Sequence, residues 1–323
     1  MKLIRYQQTK TYLALCAAMV FWGLSFVATK IALEGFSTFT LIFGRFALAS
    51  CLFAGILAYR GFPSFNRREH GRVFLVALFD PGLYFIFETV GLQHTTAPKA
   101  ALIIATIPVA VTILAAFLLR ERPSPIHLLG VGLSLAGIAV LVAGDPQLNW
   151  KLGGPIIGDL LIFGAVISAA LYIVNARNLG RNRSALEITS VQVIYGAIFY
   201  TPAFFWELPL MDWSEVSGHS VGAFIYLTLF ATIGAFLCYN YALAKVPASR
   251  AAVFINGIPV VTAAASWLLL GEKLTLIQAG GGVLVLFAVF VTNFPTLWGA
   301  PKNWVGLLLN SRARGVRDSS ILS

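Results

Sequence analysis

A chain of 323 residues, 58% hydrophobic and only 11% charged, cannot build the surface of a soluble domain, where charged residues make up about 25%. Its formal charge of +10 lies at the ends of apolar runs rather than in one basic patch, which excludes nucleic acid as a partner. The runs recur at about twenty residues each, the length that crosses a bilayer as a helix. In lipid, a helix satisfies its own backbone amides.

The pattern predicts an all-α polytopic membrane protein with ten transmembrane helices, at 11–33, 37–59, 71–92, 97–119, 124–143, 155–176, 187–207, 220–243, 248–270 and 274–296. Lys2, Arg5 and Lys10 precede the first span, and its "LCAA" resembles a cleavage site. The apolar run is nevertheless too long for a leader, holds Trp22 near its middle and continues unbroken to Lys30, so it reads as a span. Lys30 is expected to snorkel at the helix end. In span two, Arg45 lies roughly two turns deep. Its expected partners are Glu34, Glu88 or a substrate carboxylate.

Span three holds two acids, and each ionised side chain costs about 2.5–3.5 kcal/mol to insert at a helix centre. Asp80, Tyr84 and Glu88 follow i, i+4, i+8 spacing, which puts them on one drifting stripe of a helix. Pro81 beside Asp80 loosens the backbone ladder. The stripe is expected to face a central cavity, where it meets the amino part of a substrate or carries a proton. The structural alternative is pairing with a basic residue, or a helix kink.

Spans four and nine are written twice. Residues 99–122 and 250–273 share nine identities over 24 aligned positions at an offset of 151. Pro108 and Pro259 sit halfway along these spans and are expected to act as hinges. Glu121 and Glu272 follow each proline by thirteen residues and are expected to have a structural role near helix starts. Ser124 and Pro125 read as N-cap and N1, and Thr275 with Gln278 has capping-box spacing. Spans five and ten carry Gly130, Ser134, Gly137 and Gly280, Gly281, Gly282, small residues that permit close helix contact. They mark either internal packing or a homodimer face. Tyr172 and Asn175 in span six, Tyr239 and Asn240 in span eight, and Asn256 in span nine complete the polar and aromatic candidates. Cys16, Cys51 and Cys238 read as small buried hydrophobes.

With the N-terminus inside, the outer connections hold only Lys99, Lys151 and Lys273 of the 23 cations, a positive-inside bias that places both termini in the cytoplasm. Each half then has five spans, so the second half enters from the opposite side. The expected organisation is a five-helix repeat over 1–146, its inverted copy over 147–298, and a basic tail over 299–323 that reads as an interfacial helix. Inverted pairs are a hallmark of secondary transporters.

The 5+5 duplication, "FWGLSFVATK" (21–30), Arg45–Phe46, and the proline-to-glutamate segments followed by glycine-rich spans together resemble the ten-span EamA-type transporters of the drug/metabolite transporter superfamily. The likeness covers nearly the whole chain. It implies a carrier of small metabolites, amino acids among them, often outward, with a central cavity between helices. The second half departs from the pattern, with Ala169 and Gln192 in place of the Trp22- and Arg45-type residues. The expected function is secondary transport of amino acids or related metabolites by alternating access, at the plasma membrane or, in a bacterium, the inner membrane. A proton is a candidate coupling ion. The alternative is a sugar or nucleotide-linked metabolite carrier; an intramembrane enzyme or scaffold is the distant one. No HExxH, GxSxG or phosphate-binding loop occurs, so no catalytic residue, metal or cofactor is expected.

Overall fold

The computed structural model describes residues 2–94, 103–144, 156–269 and 275–297. The predictions that fall on Lys99, Lys151, Glu272, Lys273 and the tail lie outside the described residues. The described chain is helical. Eight helices are long and apolar enough to cross a membrane, and two shorter apolar helices, Ile107–Leu118 and Leu276–Thr292, stand where spans four and ten are expected. We label the elements α1 (Lys2–Ala32), α2 (Thr38–Arg60), α3 (Arg67–Ala77), α4 (Tyr84–His94), α5 (Ile107–Leu118), α6 (Pro125–Ala143), α7 (Ile156–Leu179), α8 (Ala185–Glu207), α9 (Gly218–Tyr226), α10 (Ala235–Leu243), α11 (Ala248–Val253), α12 (Ile258–Leu269) and α13 (Leu276–Leu297).

Helix starts are set by local chemistry. Asn66 and Ser184 each form a capping box, with Glu69 and Glu187, and each box satisfies two orphan amides. Arg183 ties the two boxes together. Its Nε donates to Glu69 Oε1 at 2.8 Å and its Nη1 to Glu187 Oε1 at 3.2 Å. The Ser124 cap on α6 and the Thr275–Gln278 box on α13 form as the sequence predicts. Glu121 has the expected structural role at a helix start, though at a different helix. It sits near the next helix in sequence, but its Oε1 accepts from the Ala248 amide at 3.2 Å, at the start of α11, and lies 3.6 Å from Arg177 Nε. Glu207 does the same for α2, accepting from the Thr40 amide at 2.8 Å. Carboxylates at the ends of α5's connection and α8 thus neutralise the positive ends of helices far away in the chain.

Breaks in the long helices repeat between the halves. Span three is interrupted by π-helical turns over Leu78–Leu83, and span eight by π-helical turns over Leu227–Gly234. The expected continuous stripe through Asp80 is therefore corrected. Asp80 has an extended backbone, φ −146° and ψ 115°, between α3 and α4, and Pro81 follows it through a cis peptide. Pro81 has no amide hydrogen to give, so the helical ladder cannot run through this point. Spans four and nine break just before their prolines. A turn at Ala105–Thr106 precedes α5, and a 3₁₀ turn over Phe254–Gly257 precedes α12, so Pro108 and Pro259 each occupy the first turn of a new helix.

Packing between the halves is reciprocal. α4 packs on α7, and α10 packs on α1; α5 packs on α7, and α12 packs on α1. Among the described residues, α2 packs on its own counterpart α8, and α6 on α13. The last is the closest. A Cβ on Gly137 would lie 3.0 Å from the Gly281 carbonyl oxygen, and one on Gly130 would meet Thr292. Gly130, Gly137 and Gly281 therefore serve packing within the chain, while Gly280 faces open space. The cysteines depart from expectation. Cys16 and Cys51 face outward and are exposed, and Cys238 is half-buried, because a thiol facing lipid meets an apolar surrounding as readily as one in the core.

Candidate functional site

A helix interrupted by π turns leaves carbonyl oxygens without their amides, and in a bilayer interior each must find another donor. Side chains of the opposite half supply them. Ser168 Oγ on α7 donates to the Phe79 carbonyl at 3.0 Å. Gln192 Nε2 on α8 donates to the Asp80 carbonyl at 2.7 Å. Tyr200 Oη donates to the carbonyls of Pro81 and Gly82, at 3.0 and 2.9 Å. In the other direction, Trp22 Nε1 on α1 donates to the Ala231 carbonyl at 3.2 Å, and Arg45 Nε on α2 donates to Thr232 Oγ1 at 2.8 Å. Arg45 and Gln192 thus each donate to the π segment of the other half, Gln192 to a backbone carbonyl and Arg45 to a side-chain hydroxyl.

These bonds draw the predicted residues together. Asn240 accepts from Tyr172 Oη at 3.1 Å and donates to Thr189 Oγ1 and Gln192 Oε1, at 2.9 and 3.1 Å. Every polar atom in that chain of contacts leads to the Asp80 backbone. Trp22 and Tyr239 approach to 5.1 Å between ring centroids, and Phe236 lies edge-on to Trp22 at 5.6 Å. Tyr172 stacks on Tyr239 at 6.5 Å. Tyr84 Oη donates to Glu88 Oε1 at 3.2 Å, so the i, i+4 part of the predicted stripe persists on α4. Arg45 is 6% exposed, with its guanidinium 5.5 Å from the ring centroids of both Phe46 and Phe85. It lies within electrostatic reach of both Asp80 and Glu88 and forms no direct ion pair with either among the described residues. Its predicted partner Glu34 is exposed elsewhere.

Asp80, Tyr84, Glu88 and Trp22 all sit deep in the bundle yet keep part of their surface accessible. Two buried oxygens in the cluster have no hydrogen-bond partner, Asp80 Oδ1 and Tyr239 Oη. Two predicted residues do not join it. Asn175 bonds the Leu171 carbonyl of its own helix at 2.8 Å. Asn256 donates to Ser134 Oγ at 2.7 Å, between spans nine and five. Surface grooves of about 620 and 360 Å³ share Arg60 and Leu186 at the far end of α2, away from the cluster.

Thr189, Gln192, Gly196 and Tyr200 were not among the predicted site residues. Their signal was present, since 189, 192, 196 and 200 fall on one face of α8 at helical spacing. Gly196 has a steric role. A Cβ there would lie 2.7 Å from Pro81 Cγ and 3.0 Å from Phe46 Cδ1.

Comparison with known proteins agrees with this architecture. The model of the EamA-like transporter family matches twice, over residues 9–143 and 156–294. An uncharacterized transporter of Archaeoglobus fulgidus is 30% identical over 285 residues, covering 87% of this chain and 98% of the relative. The uncharacterized transporter YetK of Bacillus subtilis is 29% identical over 288 residues, 88% of this chain and 87% of that protein. A probable terminal-alkyne amino-acid exporter of Streptantibioticus cattleyicolor is 23% identical over 291 residues, 90% of this chain and 95% of that protein. One solved crystal structure shares the fold with a TM-score of 0.75 at 18% identity, over 88% of this chain and 97% of the other. With two family matches spanning nearly all of the apolar sequence and helices fit to cross a bilayer, the chain belongs to the EamA-like transporter family and is a multi-pass membrane transporter.

Proposed function

We propose that the protein is a secondary transporter that exports amino acids or related small metabolites across the plasma membrane by alternating access. In this reading ten helices form two inverted five-helix halves, 1–146 and 147–298, with both termini in the cytoplasm. The repeated breaks in spans three and eight and in spans four and nine support that division, as does the reciprocal packing. Pro108 and Pro259, each opening a new helix beside a turn, are the hinges.

One observation carries the substrate reading. Asp80, Glu88 and Arg45 share one deep aromatic cluster without pairing directly. Burying such groups is costly unless a ligand or partner recovers the energy, and charges of both signs suit a zwitterion. The amino-acid exporter among the relatives supports the same class. Asp80 and Glu88 also outnumber Arg45, which leaves a place for a coupling proton.

Counterflow in proteoliposomes tests this. Unlabelled amino acids are loaded inside, and labelled uptake is followed with and without a pH gradient. Saturable exchange is expected in the wild type, with a loss on the order of tenfold or more in Asp80→Asn and in Glu88→Gln. Wild-type rates in both variants would remove span three from the site.

A further inference from the structure

Two surface grooves meet where the end of α2 approaches the start of α8, and their chemistry differs. The first, about 620 Å³, runs along α2 past Leu52, Gly55, Ile56 and Tyr59 to Arg60. The first four of these positions follow i, i+3, i+4, i+7 spacing, so they form one stripe of the helix. The stripe faces outward: Leu52 and Ile56 are exposed, and a Cβ on Gly55 would meet nothing within 4 Å. The missing side chain leaves a notch that no neighbouring helix fills.

The second groove, about 360 Å³, shares Arg60 and continues past Gly61, Ser64, Arg183 and Glu187. Gly61, at φ +94°, turns the chain through a conformation that glycine adopts readily. The segment after it reaches Arg183, whose Nη2 donates to the Ser64 carbonyl at 2.8 Å. The charges here are spent, except one. Arg183 also bonds Glu69 and Glu187, and Glu187 Oε2 accepts from the Ser184 amide at 2.8 Å. The Arg60 guanidinium has no ion pair or hydrogen bond among the described residues. Tyr59 and Phe62 beside it are exposed aromatics, the residues that mark a membrane–water boundary.

From Leu52 to Arg60 the helix rises about 12 Å, so the apolar groove runs from the arginine into the hydrocarbon layer. A free inorganic anion would use only the second groove. A two-fold dimer through this face would bring the same cationic surface of two copies together. A phospholipid uses both grooves, since a guanidinium pairs well with phosphate. We propose that the joined grooves bind one anionic phospholipid, with its acyl chain in the notch at Gly55 and its phosphate on Arg60. The site is separate from the proposed solute pathway. In the proposed orientation this end faces the cytoplasm, where the leaflet carries anionic lipid.

The test titrates delipidated protein in detergent with phosphatidylglycerol or phosphatidylcholine of the same chains, and counts bound lipid by native mass spectrometry. The wild type is expected to prefer phosphatidylglycerol by about fivefold or more. Arg60→Gln is expected to lower that affinity about five- to tenfold and to leave phosphatidylcholine unaffected. Gly55→Phe fills the notch without meeting the protein and is expected to weaken both lipids. Its unfolding midpoint in lipid-free detergent should equal or exceed the wild type's, since glycine is a poor helix former. Arg68→Gln, at an exposed arginine outside the grooves, should retain phosphatidylglycerol. Equal losses in Arg60→Gln and Arg68→Gln would mean diffuse surface attraction and overturn the site. Equal wild-type affinity for the two lipids overturns it as well. So does a dimer that Gly55→Phe splits, which would give the groove to a second copy of this chain.

Discussion

Gly196 shows how a single residue admits the site. It is the point on α8 where Pro81 and the Phe46 ring come nearest the backbone, leaving no room for a methyl group. Gly222, on the outward side of α9, has nothing within 4 Å of the same position. Gly196→Ala is expected to destabilise the protein by about 1–3 kcal/mol through overpacking. Gly222→Ala should be neutral or slightly stabilising, since alanine favours a helix over glycine. Thermal unfolding in detergent micelles reads both, and equal midpoints would mean that the proline seat is not tight. At this scale the sequence was legible where cost was visible. Asp80, Glu88 and Arg45 stood out because charges in an apolar run are expensive. Arg45's anchor was not legible: Thr232 is one hydroxyl among many, 187 residues away in sequence, and only the fold selects it. Asn175 and Asn256 looked equivalent to Asn240, but an amide within an apolar helix can be satisfied by its own backbone or by any neighbour.

For the elements, the π turns determine what the other half must provide. Each interrupted helix lowers its own stability and hands carbonyls to donors on α1, α7 and α8. Gln192 is central because it spends both ends of its amide, one on the Asp80 carbonyl and one on Asn240. Gln192→Leu leaves two buried groups unsatisfied and is expected to cost about 1–3 kcal/mol for each, seen as a lower unfolding midpoint. Gln192→Glu keeps an acceptor for Asn240 and, at a pH where the acid is protonated, an O–H donor for the Asp80 carbonyl, so its loss there should be smaller than that of Gln192→Leu and should grow as the acid ionises. A midpoint unchanged in Gln192→Leu would show that the broken helix does not depend on this bond. Pro81, Pro108 and Pro259 announced breaks in the sequence. The π turns of span eight have no proline, and nothing local predicts them except the offset of 151 from span three.

The whole molecule is organised by which contacts join counterparts and which cross. In an arrangement of two related halves, an element packed on its own counterpart lies on the axis that relates them. α2 with α8 and α6 with α13 are such pairs. Off such an axis lie the contacts of α4 with α7 and of α1 with α10, which the proposed alternating access requires to exchange places as the halves exchange states. Alternating access therefore predicts that axial pairs stay joined throughout the cycle while off-axis pairs open in turn. Cross-linking separates the two classes. On a background lacking Cys16, Cys51 and Cys238, Gly130→Cys with Thr292→Cys joins α6 to α13, where the two Cβ positions are 3.1 Å apart. Phe87→Cys with Gly164→Cys joins α4 to α7, where a Cβ at 164 lies 3.3 Å from Phe87 Cγ. The first separation is near the disulfide range of about 3.5–4.5 Å between Cβ atoms, and in the second the Phe87 Cγ position, which a cysteine sulfur takes over, lies against the Cβ at 164. Oxidation of the first pair is expected to leave counterflow intact. Oxidation of the second is expected to arrest it, with recovery on reduction. Full exchange through a protein verified as cross-linked between α4 and α7 would mean that this contact never opens, and that the solute passes without the two halves changing places.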